Sequence, residues 1–144
     1  MTETKINQSI EAVRNFLGGY QLCVDMLNLR RYERKRHKAL DEDFDCPDLL
    51  TGDETYWRAR MYEIETLIGQ MRNGREKLVL YYHYIKGERI ERAADFLGFS
   101  RRTAYRVHQK GLLQAAFLYE KAKKSVVNFN FNLHSVTAWR LHKL

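Results

Sequence analysis

The sequence has few residues that would interrupt a helix or cross-link the chain. It contains one proline, Pro47, and eight glycines among 144 residues, so little of it forces the backbone out of a helical conformation. Its two cysteines, Cys23 and Cys46, are too few for a disulfide framework, which makes a reducing compartment the expected one. These shortages predict an all-α chain that folds without disulfides.

The sequence also lacks the long apolar runs of membrane proteins. No run approaches the about 20 residues that cross a bilayer as a helix. The opening residues Met1 to Ile6 do not show the basic-then-apolar order of a secretion signal. We therefore expect a cytoplasmic protein with no membrane partner.

Catalytic and metal-binding patterns are missing as well. The five histidines show no metal-ligand spacing, and no pair of cysteines stands near them. No serine or cysteine is accompanied by a base at a recognised spacing, and there is no glycine-rich phosphate loop. The sequence predicts a protein that is not an enzyme and that uses no cofactor and no metal.

Basic side chains are abundant, and they are unevenly distributed. The chain has a formal net charge of +7 and a pI of about 9.5. Residues 72–124 contain 13 Lys and Arg and 5 Asp and Glu residues, a net charge of +8. Such a basic region favours a polyanionic partner. By contrast, residues 41–54 contain seven acidic side chains and no basic one, and with Pro47 and Gly52 they are predicted to form an acidic loop.

Two segments before residue 73 carry apolar residues at heptad spacing, with gaps of four and three residues in turn. The first seam is Ile6, Ile10, Val13, Leu17, Tyr20, Val24 and Leu27, and the second is Trp57, Met61, Ile64, Ile68 and Met71. The seams predict two helices joined by the acidic loop, with a weak point at Gly18–Gly19. Residues 1–72 are therefore predicted to form either an intramolecular helical hairpin or an oligomerising coiled coil.

The stretch from Glu88 to Lys110 has the pattern of two helices joined by a tight turn. Ala93 and Ala94 are small enough for close helix packing. Gly98 can adopt the positive φ that ends a helix, and Ser100 can cap the next helix. With a preceding helix from Arg75 to about Gly87, this predicts a trihelical helix-turn-helix domain over residues 73–124.

The last helix of this domain is predicted to have one apolar side and one basic side. Ala104, Val107 and Gly111 point one way. The opposite side carries the predicted base-reading residues, which are Arg101, Arg102, Tyr105, Arg106 and Gln109. Arg can pair with guanine and Gln with adenine in the major groove of double-stranded DNA. The residues predicted to contact phosphates are Arg89, Arg92, Ser100, Thr103 and Lys110.

Two further segments, at residues 30–38 and 125–144, carry predictions of their own. A second basic cluster consists of Arg30, Arg31, Arg34, Lys35, Arg36 and Lys38. It is either a second phosphate-contacting arm or the solvated end of a long helix. Residues 125–144 form a predicted tail of unknown role, in which the apolar–polar alternation from Val127 to Leu133 is typical of a short β-strand.

Parts of the basic region resemble known transcription proteins. Residues 75–87 and 91–100 resemble the promoter-reading C-terminal domain of bacterial sigma factors. Residues 100–117 resemble the ArpU family of phage and prophage transcription regulators, although Gly111 stands where these families usually carry alanine. The resemblance implies a helical N-terminal half, a sigma-like helix-turn-helix and control of late genes in a bacterial host cell.

The predicted function is sequence-specific transcription regulation of phage or mobile-element genes, with activation of late genes implied by the resemblance. A homodimer is the favoured state, because two recognition helices on a two-fold operator bind more tightly than one. RNA polymerase is a further candidate partner. Two other classes remain open: a DNA-recognising oligomer like a small terminase subunit, and an RNA polymerase-binding module that does not touch DNA.

Overall fold

The computed structural model describes residues 2–40 and 52–130, with side chains described as far as residue 124. Its helices are α1 (Glu3–Leu40), α2 (Gly52–Gly69), α3 (Arg75–Leu80, continued by a π-helical turn over Tyr81–Ile85), α4 (Ile90–Leu97) and α5 (Arg101–Asn130). No β-strand occurs in these ranges, and the predicted all-α fold class is confirmed. None of the described helices combines the length and the apolar character needed to cross a bilayer.

Most residues of the two heptad seams pack in or against a core within the chain. Side-chain contacts joining Tyr20 to Glu65 and Arg30 to Asp53 show that α1 and α2 are antiparallel. One core draws on α1, α2, the α3 region and α5, and consists of Val13, Phe16, Leu17, Tyr20, Ile64, Leu67, Ile68, Met71, Leu80, Tyr84, Leu112, Ala115 and Ala116. The seams are thus used in an intramolecular hairpin with α5 as a third partner, and residues 1–72 and 73–124 share a core.

A smaller core lies beneath the helix-turn-helix. It contains Val79, Ile90, Ala94, Ala104 and Val107. The turn has the predicted chemistry: Gly98 has φ +74°, and the Phe99 N–H donates to the Ala94 carbonyl at 2.9 Å. At the start of α5, the Thr103 N–H donates to Ser100 Oγ at 3.2 Å. The predicted roles of Gly98 as helix terminator and of Ser100 as cap are confirmed.

A side chain of α1 braces the segment that leads into α4. Gln21 Nε2 donates to the carbonyl oxygens of Ile85, at 2.8 Å, and Tyr84, at 3.2 Å, which lie at the end of the π-helical turn. Gly87 follows with φ +73°, and a Cβ there would lie 3.0 Å from the Gln21 side chain. The long first helix therefore positions the helix-turn-helix directly.

The boundary of the acidic loop differs from the predicted 41–54. Gly52, Asp53 and Glu54 belong to the first turn of α2, whereas residues 41–51 lie outside the described residues. Carboxylates are favourable in a first turn because they interact with the positive end of the helix dipole. Here they also form ion pairs with α1, between Asp53 and Arg30 at 3.4 Å and between Glu54 and Arg34.

The predicted strand from Val127 is wrong over residues 127–130, where α5 continues as a helix to Asn130. An existing helix gains one hydrogen bond for each residue that it adds, whereas a lone strand has no partner for its backbone. Residues 131–144, which include the rest of the predicted strand and most of the predicted tail, lie outside the described part of the chain.

The glycine pair in α1 offers a test of that helix. Gly18 and Gly19 lie inside α1, and an added Cβ at either position would meet no atom within 4 Å. Glycine in a helix interior costs about 0.5–1 kcal/mol relative to alanine. We expect Gly18→Ala and Gly19→Ala each to raise the free energy of unfolding by about that amount, as measured by urea denaturation. A loss of stability in both variants would show that α1 is not a regular helix at this pair.

Candidate nucleic-acid interface

The predicted base-reading side chains lie on the solvent side of α5. Arg101, Arg102, Tyr105, Arg106 and Gln109 are all exposed. The opposite side of the same turns is buried, with Ala104 fully inaccessible and Val107 3% accessible. This partition follows from the helical period, which places residues three and four apart on one face.

The predicted phosphate-contacting residues are less uniform. Arg89, Arg92, Ser100 and Lys110 are exposed, and Thr103 is half-buried. Arg92 forms an ion pair with Glu88 at 3.2 Å, and its guanidinium lies 5.3 Å from the centre of the Phe96 ring. The Ser100 hydroxyl donates to Thr103 Oγ1 at 2.8 Å. The cap hydroxyls therefore stabilise the start of α5, while Arg89 and Lys110 project into solvent.

We refer to Arg89, Arg92, Arg101, Arg102, Tyr105, Arg106, Gln109 and Lys110 together as the α4–α5 face. Within residues 2–40 and 52–124, Arg101, Arg102 and Arg106 form no ion pair with a carboxylate. Their side chains are exposed, and they can contact an anion without breaking a salt bridge among these residues.

Sequence reasoning missed one residue at the edge of this face, Glu91. The Tyr105 hydroxyl donates to Glu91 Oε1, which links the second turn of α5 to the first turn of α4. The hydrogen bond from Tyr105, with the charges of Arg101 and Arg89, lowers the pKa of Glu91. The same bond raises the pKa of Tyr105. The partners are 14 residues apart, so no rule of local spacing could have paired them.

A buried polar cluster joins α5 to the π-helical turn at the end of α3. Tyr84 Oη lies 2.9 Å from Nε2 of His108, which is only 8% accessible. The ring centre of His83 is 5.4 Å from that of His108, and His83 Nδ1 donates to the Glu88 carbonyl at 2.7 Å. Burial, together with the charges of His83 and Arg14, lowers the pKa of His108 to about 4. His108 is therefore neutral near pH 7, and its Nε2 can accept a hydrogen bond from the Tyr84 hydroxyl.

The low pKa of His108 makes the stability of the fold depend on pH. Because the ordinary pKa is 6.5 and the folded value is about 4, the unfolded chain binds the proton more readily. Stability is complete above about pH 6.5 and is lost as the pH falls towards about 4, by about 2–3 kcal/mol in all. Urea denaturation across this range would measure the loss.

The control for this pH dependence is His108→Gln, which has no proton to gain. We expect the unfolding free energy of this variant to fall less between about pH 6.5 and about pH 4 than that of the wild type. Equal losses in the two proteins would show that another group is responsible. The comparison uses the change with pH, so a lower starting stability of the variant does not affect it.

The second basic cluster is divided by the fold. Arg30 and Arg34 turn towards α2, where they form ion pairs with Asp53 and Glu54, and Arg30 also lies 3.7 Å from Glu33. The remaining members, Arg31, Lys35, Arg36 and Lys38, are exposed. Two of the six predicted cations thus help to fix the hairpin, and four face solvent.

In the part of the chain that the structure describes, no three His, Cys, Asp or Glu side chains are grouped as metal ligands would be.

Comparison of the chain with protein-family models, curated proteins and solved structures finds no match. The function is therefore inferred from the residues and contacts of the chain itself.

Proposed function

We propose that the α4–α5 face binds double-stranded DNA sequence-specifically and that the protein regulates transcription of phage or mobile-element genes. The observation that carries the proposal is the exposed row of Arg101, Arg102, Arg106 and Gln109 on a helix whose other side is buried. A helix is about 10–12 Å across with its side chains, and the major groove of B-DNA is about 12 Å wide.

The start of α5 is suited to placement against a DNA backbone. The first backbone N–H groups of a helix have no partner within the helix, and Ser100 Oγ accepts only that of Thr103. The positive end of the helix dipole adds to the attraction for phosphate. Because Ala104 and Val107 near this end pack in a core with residues of α3 and α4, the arginines project from a helix that is held against its neighbours.

Dimerisation, contact with RNA polymerase and activation of late genes belong to the same proposal. Because most residues of both heptad seams pack in or against the core of the chain, the proposed dimer uses another surface. A dimer that assembles on DNA would show itself in the operator as an inverted repeat, with half-sites about 34 Å apart. The late-gene role is supported by the resemblance to ArpU-family regulators.

Selection from a pool of random duplexes tests the proposal. The purified chain is mixed with the pool in the presence of competitor DNA, and the retained sequences are amplified and read. We expect one motif to be enriched, because base contacts discriminate between sequences by about 1–3 kcal/mol each. Retention without enrichment would indicate non-specific binding only, and no retention would reject DNA binding. A ring of many subunits in native mass measurements would favour the terminase-like alternative.

A further inference from the structure

A carboxylate, that of Glu91, lies at the edge of the α4–α5 face, and the binding of DNA does not explain it. Glu91 Oε1 accepts a hydrogen bond from the Tyr105 hydroxyl, and the charges of Arg101 and Arg89 act on the same carboxylate. A negative charge at this position repels the phosphates that the surrounding guanidinium groups attract. On a surface that only had to hold DNA tightly, a neutral side chain would serve better.

The repulsion acts equally on every duplex sequence. Attachment to phosphates supplies most of the affinity for arbitrary DNA, and it grows with the number of phosphates that the protein neutralises. A carboxylate beside Arg101 offsets part of that attraction. It therefore weakens binding to every duplex by a similar factor, so that contacts to base edges supply a larger share of the binding free energy at the correct site.

The hydrogen bond has a second consequence, for the position of Tyr105. This side chain is 47% exposed, and a tyrosine on a helix surface can adopt more than one rotamer. Donation to Glu91 ties the hydroxyl to the first turn of α4 and restricts the rotamers of the ring. A fixed ring loses less conformational entropy on contact with a base than a mobile one does.

We infer that Glu91 is a specificity-determining residue of the proposed DNA-binding face. Its hydrogen bond holds Tyr105 in place for reading the operator, and its charge lowers affinity for all duplexes to a similar extent. The inference depends on the proposed function, since without DNA binding there is no specificity to determine. Glu91 also lies in the first turn of α4, where a carboxylate favours the helix, but that role acts on folding stability and not on how DNA affinity varies with salt.

Two variants separate the charge from the hydrogen bond. Glu91→Gln removes the charge and keeps an oxygen that can accept from Tyr105, whereas Tyr105→Phe removes the donor and keeps the charge. Asp25→Asn is the matched control, because Asp25 is an exposed carboxylate on α1, and its loss changes the net charge of the chain equally. Each protein is titrated by fluorescence anisotropy with the selected operator and with an arbitrary duplex of equal length, between about 50 and about 200 mM salt.

We expect Glu91→Gln to bind the arbitrary duplex several-fold more tightly and to steepen the slope of log affinity against log salt by about 1. Because the charge acts on both duplexes alike, the operator affinity should rise by a similar factor, and the ratio of operator affinity to arbitrary affinity should stay close to that of the wild type. Tyr105→Phe should keep the wild-type slope and lose part of the ratio, and Asp25→Asn should match the wild type in both. If wild-type protein binds the operator, the inference is overturned when Glu91→Gln keeps the wild-type slope or when Tyr105→Phe keeps the wild-type ratio. If wild-type protein binds neither duplex, the proposed function itself fails.

Discussion

Replacing Arg101, Arg102 and Arg106 together with alanine is expected to abolish measurable binding to the selected operator. Each well-placed arginine contact to a base is worth about 1–3 kcal/mol, so the loss of three corresponds to at least about a hundredfold weaker affinity. Any of the three that contacts a phosphate instead lowers the salt slope by about 0.9. The fold should remain intact, because all three side chains are exposed. Fluorescence anisotropy of labelled operator DNA measures the effect.

The matched control replaces Arg31, Lys35 and Lys38 on α1 with alanine. These side chains are also exposed, and their removal takes the same number of positive charges from the chain. We expect a smaller loss of operator affinity and an unchanged preference between operator and arbitrary DNA. Normal binding by the α5 variant with a severe loss in the α1 variant would show that the second basic cluster is the main anchor.

The largest expected effect on stability is that of Gly111→Leu. Gly111 is buried, and a Cβ there would lie 3.1 Å from both the Glu76 carbonyl oxygen and Leu80 Cγ. A backbone carbonyl within α3 cannot turn aside, so a leucine must separate α3 from α5. Forcing extra carbons into a packed core costs typically about 1–3 kcal/mol, and we expect a loss of about 3 kcal/mol in the free energy of unfolding.

Gly18→Leu is the control for this substitution, because the same change in α1 meets open space. It should not lower stability, since leucine is a better helix former than glycine. Equal stability of the two variants would show that α3 and α5 are further apart than the structure places them. The close approach also explains why glycine suits position 111, where the resembling families usually carry alanine.

The sequence predicted the features of the fold that depend on neighbouring residues. Gly98 ends α4 and Ser100 caps α5 because each acts through its own backbone or through an N–H three residues away. The two faces of α5 follow from the helical period alone. The exposure of Arg101 and its neighbours could therefore be predicted without knowledge of any other element.

The sequence could not settle features that depend on distant contacts. A heptad seam is equally compatible with a partner helix in the same chain or in another chain. The packing of α5 on Val13 and Leu17 shows that the seam of α1 has partners within the chain. The bracing of Ile85 by Gln21 joins residues 64 positions apart, and the Tyr105–Glu91 bond has no local signal. The strand predicted from Val127 to Leu133 is wrong over residues 127–130, where the extension of an existing helix outweighs a period of two.

The most direct test of the proposed DNA-binding surface is to map the contact residue by residue. The isotopically labelled chain is titrated with the selected operator duplex, and the backbone amide shifts are followed by NMR. We predict that the largest changes fall at residues 89–92 and 100–110, with small changes over the α1–α2 hairpin. Changes concentrated on α1 or α2, with the amides of residues 100–110 unmoved, would contradict the assignment of the α4–α5 face as the DNA-binding surface.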